Sequence, residues 1–395
     1  MSPKRLAIIT THPIQYHAPW YRALALNPEI ELEVFYCHRA TPKEQADAGF
    51  GVEFDWDVSL LDGYSHHFLK NVAERPAVSG FNGLDTPEIQ AVIARERFDA
   101  VMVNGWHYKS AWQTMMACWK TGTPVMARSD SHLHTERGFM KRAAKWPLYQ
   151  WFIPKLDACL AVGTWSKEYF LRYGAHPERI FLVPHVIDQV FFEDQWQRWQ
   201  PQRDVLRQQW GLPAKATAFL FAGKFVATKR PIDFIRAIHA AATKGAGIAG
   251  LMVGDGSLRT KCEEFVHDNN VPVRFTGFLN QSELVKAYVA ADALVLPSDG
   301  ETWGLVVNEA MSCGLPCVVS DQVGCSPDMI VPELTGSVFP AGDCNGLAEL
   351  LASLAAHPAH LRQLGRHAKQ MATTYSTNSA VDGILQALTR IGRQH

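Results

Sequence analysis

The stretch LPSDGETWGLVVNEAMSCGLPCVVSD (296–321) decides how this chain is read. An apolar run ends at Leu296 and a polar loop follows. From Trp303 the apolar residues recur at helical spacing until Gly314 and Pro316 stop them. A fresh apolar run, PCVVSD (316–321), then resumes. The order is strand, loop, helix, strand. Glu301 falls in the loop and Glu309 about one and a half turns into the helix. Trp303, Gly304 and Leu305 form the helix start, where unpaired amides favour an anion such as phosphate. Gly304 and Glu309 are separated by an axial rise of about 7.5 Å. That suits a carboxylate meeting a ribose diol while a diphosphate sits at the helix end, with Glu301 facing a sugar beyond it. Two carboxylates on a plain strand–loop–helix unit can also be solvated surface groups. The length and continuity of the flanking pattern favour a site.

Working outward, the same rhythm fills the chain. Short apolar runs alternate with helical patterns, which argues βαβ units and parallel sheets. In the first half the expected strands are 5–11, 30–37, 99–105, 124–130 and 157–163. In the second half they are 218–224, 250–255, 273–277, 292–298 and 316–321. Helices are expected from Thr86 as N-cap, and near Pro231, Ser257, Ser282 and Trp303. Asn280 with Glu283 reads as a capping box. A polar, aromatic stretch after Asp188, through Trp196, Trp199 and Pro201, marks a junction. The expected organisation is α/β, two Rossmann-like doubly wound domains facing across a cleft. An N-terminal, acceptor-side domain spans 1–195 and a nucleotide-sugar-binding domain spans 196–375. A C-terminal helix over 376–395 has a return to the N-terminal domain as one option. Ligands of such sheets bind at the carboxyl ends of the strands.

Three further strand ends in the second half are therefore informative. FAGKFVATKRP (221–231) places Lys224 and Lys229 between a strand and a helix, where they can neutralise a diphosphate leaving group. VGDGSLR (253–259) brings Gly254 and Gly256, which permit close approach of a ligand. FTGF (275–278) offers Phe278 as part of a base pocket, although a simple strand end with a glycine turn reads as well.

Taken together, residues 219–345 resemble the C-terminal half of the family 4 glycosyltransferases, retaining enzymes of the GT-B fold. The shared order is Gly223-Lys224 with Lys229, Gly254-Asp255-Gly256, Phe275 with Gly277, then Pro297-Ser298, Glu301, Gly304, Glu309-Ala310, Gly314 and Pro316, and finally Thr335-Gly336. The resemblance implies that Glu309 binds the nucleotide ribose, that Lys224 and Lys229 bind the diphosphate, and that Glu301 contacts the donor hexose. It implies phosphate contacts from the backbone of Trp303, Gly304, Leu305 and Val306, with Gly223, Gly254 and Phe278 completing the donor site. Lys224, Lys229 and Glu301 are the catalytic candidates. No metal and no cofactor are expected, because basic residues and helix amides take the metal's place. Departures from the family pattern are Lys224 for a common arginine, Lys229-Arg230 for Lys-Gly, and Pro184-His185-Val186-Ile187-Asp188 for Pro-Asn-Gly-Val-Asp.

The expected function is transfer of a hexose or N-acetylhexosamine from a nucleoside-diphosphate sugar, with UDP-sugar favoured. The acceptor is a glycan, lipid-linked sugar or small molecule, and the resemblance implies retention of configuration. The alternatives are a non-catalytic nucleotide-sugar-binding subunit, and an epimerase or phosphorylase on the same fold. A nicotinamide dehydrogenase lacks its strand-coupled G-x-G-x-x-G.

In the first half, THPIQYHAPWYRAL (11–24), VNGWHYKS (103–110) and ARSDSHLHTER (127–137) follow strand ends. Gln15, His17, His107, Asp130 and His132 are the acceptor-side candidates, although for any single histidine a packing or surface residue is the better reading. A zinc site from His132 and His134 would need two more ligands. RGFMKRAAKWPLYQWFIPK (137–155) mixes basic and aromatic residues, with Pro147 interrupting its helical pattern. It is readable as an interfacial helix or as a packed helix with a solvated face.

Composition narrows the partners. Of 395 residues, 47% are hydrophobic and 19% charged, and the net charge is -1, without the basic excess of a nucleic-acid binder. Eight cysteines are scattered without a C-x-x-C pair, as reduced thiols are. No stretch approaches the ~18 apolar residues of a membrane span. The expected setting is cytoplasmic, with peripheral contact at the inner membrane face left open.

Overall fold

The computed structural model describes residues 2–41, 53–134 and 139–393, with residues 139–143 by backbone alone. Arg137, from the basic and aromatic stretch, lies outside the described residues. The chain divides into two compact units. One comprises Met1–Thr41, Ser59–Ile187 and Ser376–His395, and the other Pro42–Val58 and Asp188–Tyr375.

The first unit is built on a seven-stranded sheet: β1 (Lys4–Thr10), β2 (Ile30–Tyr36), β3 (Ser65–Phe68), β4 (Ala100–Asn104), β5 (Val125–Ser129), β6 (Ala158–Ala161) and β7 (Ile180–Leu182). Its spatial order is β3-β2-β1-β4-β5-β6-β7, and the pairings are parallel. The second unit holds β8 (Thr217–Ala222), β9 (Ile248–Val253), β10 (Val273–Gly277), β11 (Ala293–Leu296), β12 (Cys317–Ser320) and β13 (Gly336–Phe339). Their order is β10-β9-β8-β11-β12-β13, again parallel. Both sheets run outward in both directions from their first strand, the doubly wound arrangement.

Continuous apolar runs make these strands because both faces are covered. All six residues of β8, TAFLFA, are buried. In β1, Ala7 and Ile9 enter one core while Leu6 and Ile8 enter the other, as strand alternation requires. The last helix, Thr377–Gly392, packs in this second core of the first unit beside the helix Ala18–Leu26. A repeated device fixes register. β4, β6 and β11 are each preceded by aspartate, and Asp99, Asp157 and Asp292 accept a hydrogen bond, each at 2.8 Å, from the backbone N–H of Arg5, Val125 and Ala218 in the neighbouring strand. Asp292 also pairs with Arg203 (2.7 Å) and with the buried Arg207 (3.1 Å).

Several local expectations change. Strands β3, β7 and β13 were not expected. They are three or four residues long, and β3 and β7 alternate no clear apolar face. Thr86 is not an N-cap: its helix runs Ile89–Glu96, and its buried hydroxyl points to the Cys37 sulfur. Asn280 caps Gln281–Ala290 through the Gln281 amide, but Glu283 pairs with Lys286 instead of closing a capping box. Pro147 lies inside an unbroken helix, Phe139–Phe152. The helices expected near Ser257 and Trp303 begin at Arg259 and Leu305. No described helix is long and apolar enough to cross a membrane.

Candidate functional site

β8 and β11 are neighbours in space although two strands separate them in sequence. A doubly wound sheet opens a crevice at this switch point, beyond the carboxyl ends of the strands. The loops leaving these two strands carry Lys224, Lys229 and Glu301. They are tied together three ways. The Asp299 amide donates to the Thr228 carbonyl (2.9 Å), the Arg230 guanidinium contacts the Asp299 carboxylate (3.0 Å), and the Lys229 ammonium pairs directly with the Glu301 carboxylate. Arg230 adopts a left-handed conformation (φ 51) and also holds Asp233, so its side chain braces the turn into the helix Pro231–Thr243.

Glu301 is positioned from the other side as well. It forms a parallel bridge with Val323, and the Gly324 and Cys325 amides donate to the Glu301 and Trp303 carbonyls (2.9 Å each). The loop after β12 therefore acts as a rail for residues 301–303. Gly324 allows this contact, since a Cβ there would land on the Thr302 carbonyl oxygen.

Gly304 takes a left-handed conformation (φ 100), open to glycine, and turns the chain into the helix Leu305–Ser312. The first amides of that helix, at Leu305 and Val306, precede any intrahelical acceptor. Trp303 contributes differently from its neighbours. Its indole is buried, donates to Asn308 (2.9 Å) and packs on Tyr375, so only its backbone is placed to meet a ligand. Glu309 is 2% exposed and accepts a hydrogen bond from the Tyr288 hydroxyl (2.6 Å). That contact orients the carboxylate, and neither Tyr288 nor Asn308 was apparent from the sequence.

Around this centre, Gly223 and Gly254 pack backbone to backbone, and the Phe225 and Leu258 amides cross-link the loops after β8 and β9. Phe278 follows β10 and lies 4.5 Å from the ring of Phe54. Burial, and then the nearby Lys224 ammonium, push Lys229 down to about 8; burial lowers Lys224 too. The Glu301 carboxylate touching Lys229 works the other way, favouring its charged form. Two cations beside two oriented carboxylates and a helix N-terminus can hold an anion and stabilise charge that develops on it.

In the first unit the switch point lies between β1 and β4. His17 stands there at the N-cap position of the helix Ala18–Leu26, without a side-chain capping bond. It is buried, lies 3.1 Å from the Asn104 amide nitrogen, and is held well below its ordinary pKa by burial and then by the charge of Arg128. Arg128, the penultimate residue of β5, is 2% exposed. It donates to the carbonyls of Val183 (3.1 Å) and Pro184 (2.8 Å), approaches His185 (3.3 Å) and lies over Trp20. Burial lowers it to about 10. His185 in turn lies 3.7 Å from Asp130. The structure thus gathers His17 and Asp130 around two residues not singled out from sequence, Arg128 and His185. An arginine inside the apolar strand VMARS was the available signal. His107 is exposed, Gln15 is buried, and His132 packs on Trp165 with His134. Among the described residues, no three His, Cys, Asp or Glu side chains group to hold a metal.

Residues 202–371 match the model of the family described as Glycosyl transferases group 1, and residues 16–190 match that of Glycosyltransferase Family 4. The chain belongs to the family 4 glycosyltransferases. Among curated proteins, this chain is 31% identical over 227 residues to the D-inositol 3-phosphate glycosyltransferase of Saccharomonospora viridis, covering 54% of this chain and 50% of that one. The chain spans about half the length of the curated relatives it matches. Among solved structures, a glycosyltransferase from Rickettsia africae aligns over 100% of both chains with a TM-score of 0.77 at 12% identity. Anabaena HepE, solved in complex with UDP and glucose, aligns over 98% of this chain and 99% of its own, with a TM-score of 0.71 at 14% identity. At these identities the likeness shows the fold, two Rossmann-like units of GT-B type.

Proposed function

We propose that this glycosyltransferase moves a hexose or N-acetylhexosamine from a nucleoside-diphosphate sugar, UDP-sugar first, onto an acceptor hydroxyl with retention of configuration. The observation that carries the reading is the Lys229–Glu301 contact at the β8/β11 switch point, beside the helix start at Gly304. In this reading the diphosphate lies against the Leu305 and Val306 amides and the Lys224 and Lys229 ammoniums. Glu309, held by Tyr288, meets the ribose, and Glu301 meets the sugar. The C1–O bond to the β-phosphate breaks as negative charge gathers on that phosphate, and the acceptor oxygen bonds to C1 on the same face. Its proton leaves with the departing phosphate oxygen. Lys224 and Lys229 do the work a metal would otherwise do. HepE's complex with UDP and glucose supports the choice of donor class. The acceptor side is assigned to His17, His107, Asp130 and their neighbours on the first unit.

A thermal-shift screen of nucleotide sugars tests the donor, and stabilisation by none of them would remove the reading. Proton NMR of the first-formed product should show the donor's anomeric configuration; an inverted anomer refutes retention. EDTA should leave turnover unchanged.

The depressed Lys229 pKa gives a pH prediction. The ammonium is charged below about 8 and loses its proton above it. UDP affinity should therefore be level below that pH and weaken as pH rises through it, with proton uptake on binding near pH 8. Calorimetry in buffers of different ionisation enthalpy reads that uptake directly. Lys229→Arg should flatten the profile, because a guanidinium stays charged. A parent profile that is already flat would show that Lys229 does not contact the diphosphate.

A further inference from the structure

We propose that the outer face formed by the helices Lys109–Thr121 and Phe139–Phe152 is a docking surface for an anionic phospholipid bilayer. Four large apolar side chains crowd this part of the first unit while open to solvent: Met116 (54% exposed), Trp151 (46%), Leu148 (44%) and Leu171 (39%). They are connected. Trp151 meets Trp119 at 5.6 Å, Trp119 lies one helical turn from Met116, and Leu148 lies one turn from Trp151. Leu171 is beside Arg172, whose guanidinium covers Trp146 at 4.2 Å on the same helix as Leu148. Solvated apolar groups scattered singly mean little, but a connected group marks a contact surface.

Charge selects the occupant. Neither 109–121 nor 139–155 contains an aspartate or glutamate, in a chain whose net charge is -1. Lys120, Lys145, Lys155 and Arg172 are exposed around the apolar group. Lys155 lies 3.9 Å above the Trp151 ring. Lys109 is offset by Asp85 (2.6 Å), and Glu168 is the one acid of the adjoining helix Thr164–Arg172. Tryptophan and leucine ringed by lysine and arginine suit a headgroup region, where rings and acyl carbons take the apolar groups and lipid phosphates take the cations. A second copy of this chain fits poorly, because a two-fold contact would set these cations against their own copies.

Co-sedimentation of the whole chain with vesicles tests the proposal without reference to turnover. Binding is expected to an about 7:3 mixture of phosphatidylcholine and phosphatidylglycerol, to be lost at high salt, and to be absent from phosphatidylcholine alone. Lys145→Glu with Lys155→Glu should weaken it by at least the about fivefold per cation that a surface charge contributes. Leu148→Ser with Trp151→Ser should do so at unchanged salt dependence, with far-UV circular dichroism confirming the fold. Failure of the parent to sediment with the mixed vesicles, or variants binding like the parent, overturns the proposal. So does a concentration-dependent dimer that Trp151→Ser dissolves, which would make this face a protein interface.

Discussion

Lys229→Ala should lower kcat by about 10²–10³-fold, the loss typical of removing one group aimed at developing charge in a water-poor site. Lys229 occupies a poor place for a cation in the absence of a ligand. It is largely buried, sits beside Lys224 and has its pKa pushed down to about 8. The Glu301 carboxylate offsets part of that cost. In the proposed reaction, negative charge grows within reach of the same ammonium as the bond to the diphosphate breaks, and the attraction is greatest at the transition state. KM for the donor should therefore rise less than kcat falls. The same alanine also leaves Glu301 without its cation, so a lost position for Glu301 must be separated from a lost charge. Lys229→Arg should recover a substantial part of the rate because it restores the charge at both tasks. The double variant with Glu301→Gln should fall no further than Lys229→Ala if the two act as one unit. Steady-state kinetics on the three variants decide between these roles. A kcat within a few-fold of the parent in Lys229→Ala would remove this lysine from the chemistry.

The second large effect should come from a residue that need not touch substrate. In Gly324→Ala the new Cβ would collide with the Thr302 carbonyl oxygen, which belongs to backbone that cannot rotate away. Forced overpacking of this kind costs about 1–3 kcal/mol. For a unit of this size that is a fall of roughly 2–4 °C in Tm for each kcal/mol. The distinguishing expectation is functional. The collision falls on the backbone rail that holds residues 301–303 against 323–325, so Glu301 and the entry to the Gly304 turn should shift together. Donor affinity and turnover should drop well beyond what the loss of stability explains at a temperature where the variant is fully folded. Differential scanning calorimetry with UDP titration checks both parts. A destabilised variant with parental donor affinity would show that the rail supports the fold alone.

Much of the candidate site was legible because it is local in sequence. Glu301, Gly304 and Glu309 lie within nine positions of one another, and strand, loop and helix periodicities place them without knowledge of any partner. The central strands were legible for a similar reason: a strand buried on both faces is a bare apolar run. Edge strands such as β3, SHHF, bury little and left no such mark. The capping box at Asn280 failed because Glu283 found Lys286, a neighbour at helical spacing that competes for the same carboxylate. Thr86 failed because its hydroxyl was buried against Cys37, which only packing could reveal.

By itself the sequence determined the parallel α/β class and the family, and it marked the candidate carboxylates and lysines of the second unit. Those are statements about short windows, where backbone periodicity and side-chain chemistry suffice. Only the tertiary structure decided that Lys229 touches Glu301, that Tyr288 holds Glu309, that Gly324 carries the rail under Glu301, and that Arg128 gathers His17, His185 and Asp130. Each of these joins different strands or loops. Such contacts arise where a sheet brings β8 beside β11, or β1 beside β4, and no periodicity within one segment encodes what lies across that switch point.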